Sequence, residues 1–157
     1  MSVLQVGRGE RSYPITIEQG CLQGIAANLR ETYSASRYCI ITDDNVSGLY
    51  GEHLQEAIRS AGMDCDLLVF PHGEAHKHLD TVASLLSQAA QKGLDRRSKI
   101  IALGGGVSGD IAGFGAATYM RGVPVIQIPT SLLAQVDSSV GGERGVDSPE
   151  GEFLVGA

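Results

Sequence analysis

The sequence predicts an α/β fold: an open, mostly parallel sheet flanked by helices, preceded by an N-terminal β-hairpin or a pair of edge strands. Three observations lead there. Four short, nearly continuous apolar runs recur along the chain, as strands covered on both faces require. Segments with helical apolar spacing lie between them. The 157 residues, 43% apolar and 19% charged, suit a single domain with a substantial core and rule out a disordered tail.

Taken in order, Val3 to Gly7 and Tyr13 to Ile17 are β-prone runs around Gly7-Arg8-Gly9-Glu10, which reads as the turn between them. The four apolar runs are Tyr38-Cys39-Ile40-Ile41, Leu67-Leu68-Val69-Phe70, Ile100-Ile101-Ala102-Leu103 and Val125-Ile126-Gln127-Ile128. Between the first two, Val46, Leu49, His53, Leu54, Ala57, Ile58 and Ala61 repeat at helical spacing and stop at Gly62. Leu79, Val82, Leu85, Leu86, Ala89 and Ala90 repeat likewise and stop at Gly93. A third helix is expected from Val107 to Met120, with Val107, Ile111, Phe114 and Ala117 on one stripe. The alternation implies a Rossmann-like sheet with right-handed crossovers. No internal repeat or linker interrupts it.

Composition narrows the function. Twelve basic against eighteen acidic residues give a net charge of −6 without a basic stripe, which argues against nucleic acid as a partner. Cys21, Cys39 and Cys65 lack C-x-x-C spacing and read as buried or half-buried thiols of a reducing cytosol. With no apolar leader at the N-terminus and no run long enough for a membrane span, a cytoplasmic protein without a membrane partner is expected. Twelve of the 21 glycines fall between Gly104 and Gly156, so the last third of the chain is where backbone must turn tightly or approach a ligand.

Ligands of open parallel sheets bind beyond the carboxyl ends of the strands. That rule selects Thr42-Asp43-Asp44-Asn45, Pro71-His72-Gly73-Glu74, Gly104-Gly105-Gly106 and Pro129-Thr130-Ser131. Gly104, Gly106 and Gly109 satisfy G-x-G-x-x-G between a strand and a helix, where free N–H groups and the helix dipole suit a pyrophosphate. A tight structural turn is the alternative. The strand Val125 to Ile128 ends without the acid that an ordinary dinucleotide fold places there, so a bound ribose would lie toward Asp43, Asp44 and Glu74. No Gly-Lys-Ser/Thr occurs, which excludes a Walker-type loop. Asp43, Asp44 and Asn45 are equally suited to capping a helix. Glu74 and Lys77 could be a solvated pair, and His72, His76 and His78 have no carboxylate pattern that would fix a metal geometry.

Gly104-Gly105-Gly106-Val107-Ser108-Gly109-Asp110-Ile111-Ala112-Gly113-Phe114, Ala116 to Gly122, and Pro129-Thr130-Ser131-Leu132-Leu133-Ala134-Gln135-Val136-Asp137-Ser138-Ser139-Val140-Gly141-Gly142 closely resemble 3-dehydroquinate synthase. The resemblance extends in order through Thr42 to Val46 and Gly73 to Lys77, and so over essentially the whole chain. It implies the NAD-binding domain of an NAD- and metal-dependent carbon–oxygen lyase of the shikimate pathway, which converts the sugar-acid phosphate DAHP into 3-dehydroquinate with loss of phosphate. The family's NAD contacts fall on Asp43, Asn45, Glu74, Lys77, Gly105, Gly106, Val107, Asp110, Thr130, Ser131 and Leu133. Asp137 matches a substrate-binding carboxylate. Arg121 matches an arginine that reaches the substrate phosphate of the neighbouring subunit, which implies a homodimer.

Residues 1–157 are thus expected to be one NAD-binding domain, without the family's helical domain that binds zinc or cobalt, so no metal ligand is assigned here. By the same resemblance, Gly141-Gly142-Glu143-Arg144-Gly145 and Gly151-Glu152-Phe153-Leu154 carry acids where the family has two substrate-binding lysines, and Phe153 where it has an asparagine. With the missing domain, these departures lead to the expectation that the chain alone is inactive. The alternatives are a non-catalytic pseudoenzyme or scaffold, or a related sugar phosphate cyclase or glycerol dehydrogenase-like domain.

Overall fold

The computed structural model describes residues 1–140 and 142–157, with the backbone alone for Phe153. They form two compact units, Met1–Ser34 and Ala35–Ala157.

In the first unit, β1 (Ser2–Val6) and β2 (Tyr13–Ile17) pair antiparallel, Val3 opposite Thr16 and Gln5 opposite Pro14, which is the expected hairpin. The Ser12 hydroxyl closes its turn by donating to the Gly9 carbonyl at 2.8 Å. After left-handed Gly20 comes α1 (Cys21–Thr32), a helix not expected from the sequence. Leu22, Ile25 and Leu29 carry helical spacing there, but Gly24 in the interior and the unusual glycine cap weaken the local signal.

The second unit is built on four strands, β3 (Tyr38–Asp43), β4 (Cys65–Phe70), β5 (Lys99–Gly104) and β6 (Val125–Pro129). They lie in the order β4-β3-β5-β6 and are parallel throughout. The chain leaves β3 toward β4 on one side, then passes back to β5 and β6 on the other. Right-handed crossovers then place the connecting helices on opposite faces. The β3-to-β4 connection is α2 (Asp44–Val46), a π turn over Ser47–Gly51, and α3 (Glu52–Ser60). The later crossovers are α4 (Leu79–Gln91) and α5 (Gly106–Thr118).

Strand periodicity divides the core. Cys39, Ile41, Leu68, Phe70, Ile100 and Ala102 pack with Val82, Leu85 and Ala89 of α4 and Ile111, Ala112, Phe114 and Ala116 of α5. The alternate residues Tyr38, Ile40, Ile101 and Leu103 are buried on the other face, as are Leu54 and Ile58 of α3. Both faces are therefore covered, which is why these strands read as unbroken apolar runs.

The helices depart from the expected stripes in two places. The π turn inserts a residue, so the buried positions become Ser47, Gly51, Leu54 and Ile58, while Leu49 is 64% exposed. In α5 residues 108, 109 and 111–116 are all buried, so no single stripe exists. Beyond β6 the chain forms α6 (Leu132–Val136) and an antiparallel hairpin of β7 (Gly145–Ser148) and β8 (Gly151–Gly156). Neither was expected, because five residues of helix and two short glycine-bounded strands carry too little periodicity. Val146 of β7, 1% exposed, belongs to the core beside α4 and α5.

The thiols divide as well. Burial pushes Cys39 and Cys65 up to about 12, whereas Cys21 is exposed rather than buried or half-buried. At pH 8 a thiol reagent such as Ellman's should therefore titrate one of the three cysteines in the native chain and all three after denaturation.

Candidate functional site at the sheet switch point

β3 and β5 are neighbours whose chains leave in opposite directions, so a crevice opens between their carboxyl ends at Asp43 and Gly104. Gly104 has φ +145, and a Cβ there would run into the Ser108 side chain, so only glycine permits the turn into α5. Its carbonyl accepts the Thr130 N–H at 2.8 Å, tying the end of β5 to the end of β6. α5 then starts with no side-chain cap at Gly105 and no acid in its first turn. The opening N–H groups therefore face the rim with the positive end of the helix dipole.

Asp43 borders the same crevice. Its Oδ1 accepts the Val46 N–H at 2.8 Å, so the capping alternative is realised, while Oδ2 lies 3.5 Å from the Ser108 hydroxyl across the switch. Asp44 is turned the other way. It accepts the His72 N–H at 3.0 Å and stands 2.6 Å from His72 Nδ1, which holds its carboxyl below the ordinary 3.8. This contact joins the loops after β3 and β4. Asn45 is exposed beside them.

Lys77 is not part of a solvated pair. Its side chain is 12% exposed, with Nζ 2.8 Å from Asp110 Oδ2 in α5 and 3.7 Å from Glu74 Oε1. Burial works against its charge, yet the bond to Asp110, with the fields of Glu74 and Asp147, lifts the ammonium above its ordinary 10.5. A cavity of about 610 Å³ opens beside it, lined by Glu74, Lys77, His78, Asp80, Asp147 and Pro149 among others. Ser131 caps α6 by accepting the Ala134 N–H at 3.2 Å, Leu133 and Asp137 are exposed, and Thr130 is half-buried. Gly105, Gly106 and Val107 are half-buried at the head of α5.

The pattern of the 3-dehydroquinate synthase N-terminal family matches residues 67–157. The chain belongs to the 3-dehydroquinate synthase family. It is 46% identical over 157 residues to a 3-dehydroquinate synthase from Pelobacter propionicus, covering all of this chain and 44% of that protein. Two solved structures share its architecture. One is a 2-deoxy-scyllo-inosose synthase complexed with carbaglucose-6-phosphate, NAD+ and Co2+, at 28% identity and a TM-score of 0.90, covering 99% of this chain and 43% of that one. The other is a 2-epi-5-epi-valiolone synthase from Streptomyces hygroscopicus subsp. jinggangensis with NAD+ and Zn2+ bound, at 29% identity and a TM-score of 0.81, covering 96% and 41%. The chain thus spans less than half the length of each of these proteins.

In this member of the family, the four rim segments chosen by the strand-end rule do lie at the ends of β3, β4, β5 and β6. Arg121 does not join them. It follows the C-terminal end of α5, roughly 20 Å along the helix from the glycine turn, in an exposed turn where Met120 and Arg121 take φ of +49 and +68. Glu143 and Glu152 are exposed, and Gly141 lies outside the described residues. Among the described residues no group of three or more His, Cys, Asp or Glu is placed to hold a metal, and His72 is engaged with Asp44. No local pattern in the sequence reports that Asp110 and Lys77 form a half-buried pair, because that contact depends on the sheet order.

Gly104→Ala should cost about 1–3 kcal/mol in urea unfolding, from left-handed strain and the collision with Ser108. A second outcome follows from Lys77. A cation whose pKa is raised on folding adds stability that is complete below its ordinary 10.5 and fades as pH rises through the raised value. Unfolding of Lys77→Met should therefore show a deficit against wild type that is constant at neutral pH and closes above that value.

Proposed function

We propose that this chain is the NAD-binding domain of a 3-dehydroquinate synthase. The observation that carries the reading is the uncapped start of α5 at the Asp43–Gly104 switch, in a chain of this family. The site fits a dinucleotide: among the described residues a Cβ added at Gly105 would meet only Ser131 Oγ, at 3.7 Å, so the backbone lies open to a pyrophosphate. In this reading Gly105, Gly106 and Val107 present N–H groups to the phosphates. Asp43, Asn45 and Glu74 take ribose hydroxyls, while Lys77 and Asp110 hold each other beside them. Thr130, half-buried, and Ser131 and Leu133, exposed, flank the nicotinamide side.

NAD, when bound, supplies a hydride acceptor and donor for transient oxidation of a substrate alcohol, which acidifies the neighbouring C–H ahead of phosphate loss. The chain's own part is binding and orientation. Asp137, exposed just after α6, would accept a hydrogen bond from a substrate hydroxyl of DAHP. Arg121, at the far end of α5, would serve the phosphate of a neighbouring copy, which makes the working unit a homodimer. Zinc or cobalt belongs to the intact enzyme, and no step is assigned to it here because the described residues offer no metal-binding group. Residues 1–157 act in this reading as one cofactor-binding domain of a cytoplasmic enzyme and do not complete turnover by themselves.

Thermal unfolding under NAD titration tests this. Saturable stabilisation is expected, about 2.7 kcal/mol at 100 times the dissociation constant. An unchanged melting temperature at millimolar NAD would falsify the cofactor assignment, and conversion of DAHP by this chain alone would overturn the assignment of an incomplete site.

A further inference from the structure

We propose that Lys77 is a positioning residue that fastens the β7–β8 hairpin to the crevice, so that nucleotide occupancy is felt at the hairpin, a coupling whose ligand side rests on the NAD reading above. Lys77 reaches in two directions. Its ammonium meets Asp110 in α5 at 2.8 Å, while its backbone carbonyl accepts the Asp147 N–H of β7, also at 2.8 Å. His78 continues the contact as a parallel bridge to Asp147. The Asp147 carboxylate adds to the field on the Lys77 ammonium.

The loop that carries Lys77 has little structure of its own, a single 3-10 turn over Glu74–His76. It is held at its start by the Asp44–His72 contact and at its end by the Lys77–Asp110 pair. Among the described residues the hairpin is attached in two ways. One is through the Lys77 carbonyl. The other is to the helix layer, where Val146 is buried in the core, Val155 packs against it and the Arg144 side chain lies across Gly113 of α5. Opening the loop gives up the Asp147 bond, and lifting β7 gives up the same bond from the other side. Two segments that share a bond open together, and a ligand that holds one must favour the closed form of the other. Glu143 and Glu152, where the family resemblance places substrate groups, flank and belong to this hairpin, so the coupling runs from the cofactor side of the crevice to the substrate side.

Amide hydrogen exchange on the whole chain tests this with and without NAD. Lys77→Met should speed exchange about tenfold in residues 145–148 and 151–156 as well as 74–78, leaving β3 and β5 at wild-type rates. Lys77→Arg should restore most of the protection, and Val146→Ala should loosen 74–78 in return. In the wild type NAD should slow exchange at the glycine turn, the Lys77 loop and the hairpin, and in Lys77→Met, at NAD raised until protection of the glycine turn saturates, at the glycine turn alone. The coupling is overturned if Lys77→Met loosens its own loop while the hairpin keeps its wild-type rate, or if NAD protects the glycine turn but not the hairpin. If NAD protects nothing, the cofactor reading falls, and the reciprocal effects of Lys77→Met and Val146→Ala still decide the coupling.

Discussion

Two adjacent parallel strands whose chains depart in opposite directions cannot have a crossover packed over the gap between their carboxyl ends. In this domain the strands are β3 and β5, and the gap is the space between Asp43 and Gly104. The groups around it follow from that order. β3 must end in a residue that turns the chain into a helix, and Asp43 does so through its bond to the Val46 N–H. β5 must turn into α5 with almost no connecting residues, which only the positive φ of Gly104 allows with Ser108 so close. Because α4 and α5 share one face, Lys77 after β4 and Asp110 in α5 come within bonding distance across the intervening β3.

Burial explains which parts of this were legible in the sequence. Ile40, Ile41, Ile100 and Ile101 are fully covered, so their strands announce themselves as apolar runs, and the strand-end rule then found the rim loops without knowledge of the sheet order. The order itself was not legible, since nothing local tells β5 on which side of β3 to pair. Without it, Glu74 and Lys77 look like a solvated i, i+3 pair, and the dominant partner Asp110, 33 positions away, is invisible. Periodicity failed where a helix has no exposed face, as in α5, and where a π turn shifts the phase, as between Val46 and Leu54. The G-x-G-x-x-G spacing was a sound pointer to the turn.

The family resemblance assigns Arg121 to the substrate phosphate of a neighbouring subunit, and in this chain it stands at the opposite end of α5 from the crevice. Its neighbourhood suits a fixed presentation: Met120 and Arg121 in left-handed backbone, followed by Gly122 at φ +116. Two consecutive non-glycine residues held there carry strain of about 1–3 kcal/mol each, which the anchoring of Tyr119, through its hydroxyl to the Leu94 carbonyl at 2.8 Å, must sustain.

The departures at Glu143, Arg144 and Glu152 differ in what they ask of the fold. Glu143 and Glu152 are exposed, so their charges stay solvated and the hairpin can form with either sign of side chain. Arg144 is different: its Nε is buried and makes no hydrogen bond among the described residues, a cost of about 1–3 kcal/mol. Its backbone, however, exchanges two bonds with Ala157, at 2.9 and 2.7 Å, and the next residues carry Val146 into the core. The hairpin is thus held by backbone pairing and by Val146 and Val155 against the core, none of which depends on the identity of residues 143 or 152. Exchanging lysine for glutamate at those positions changes the charge carried on and beside the hairpin while leaving the scaffold that presents it in place.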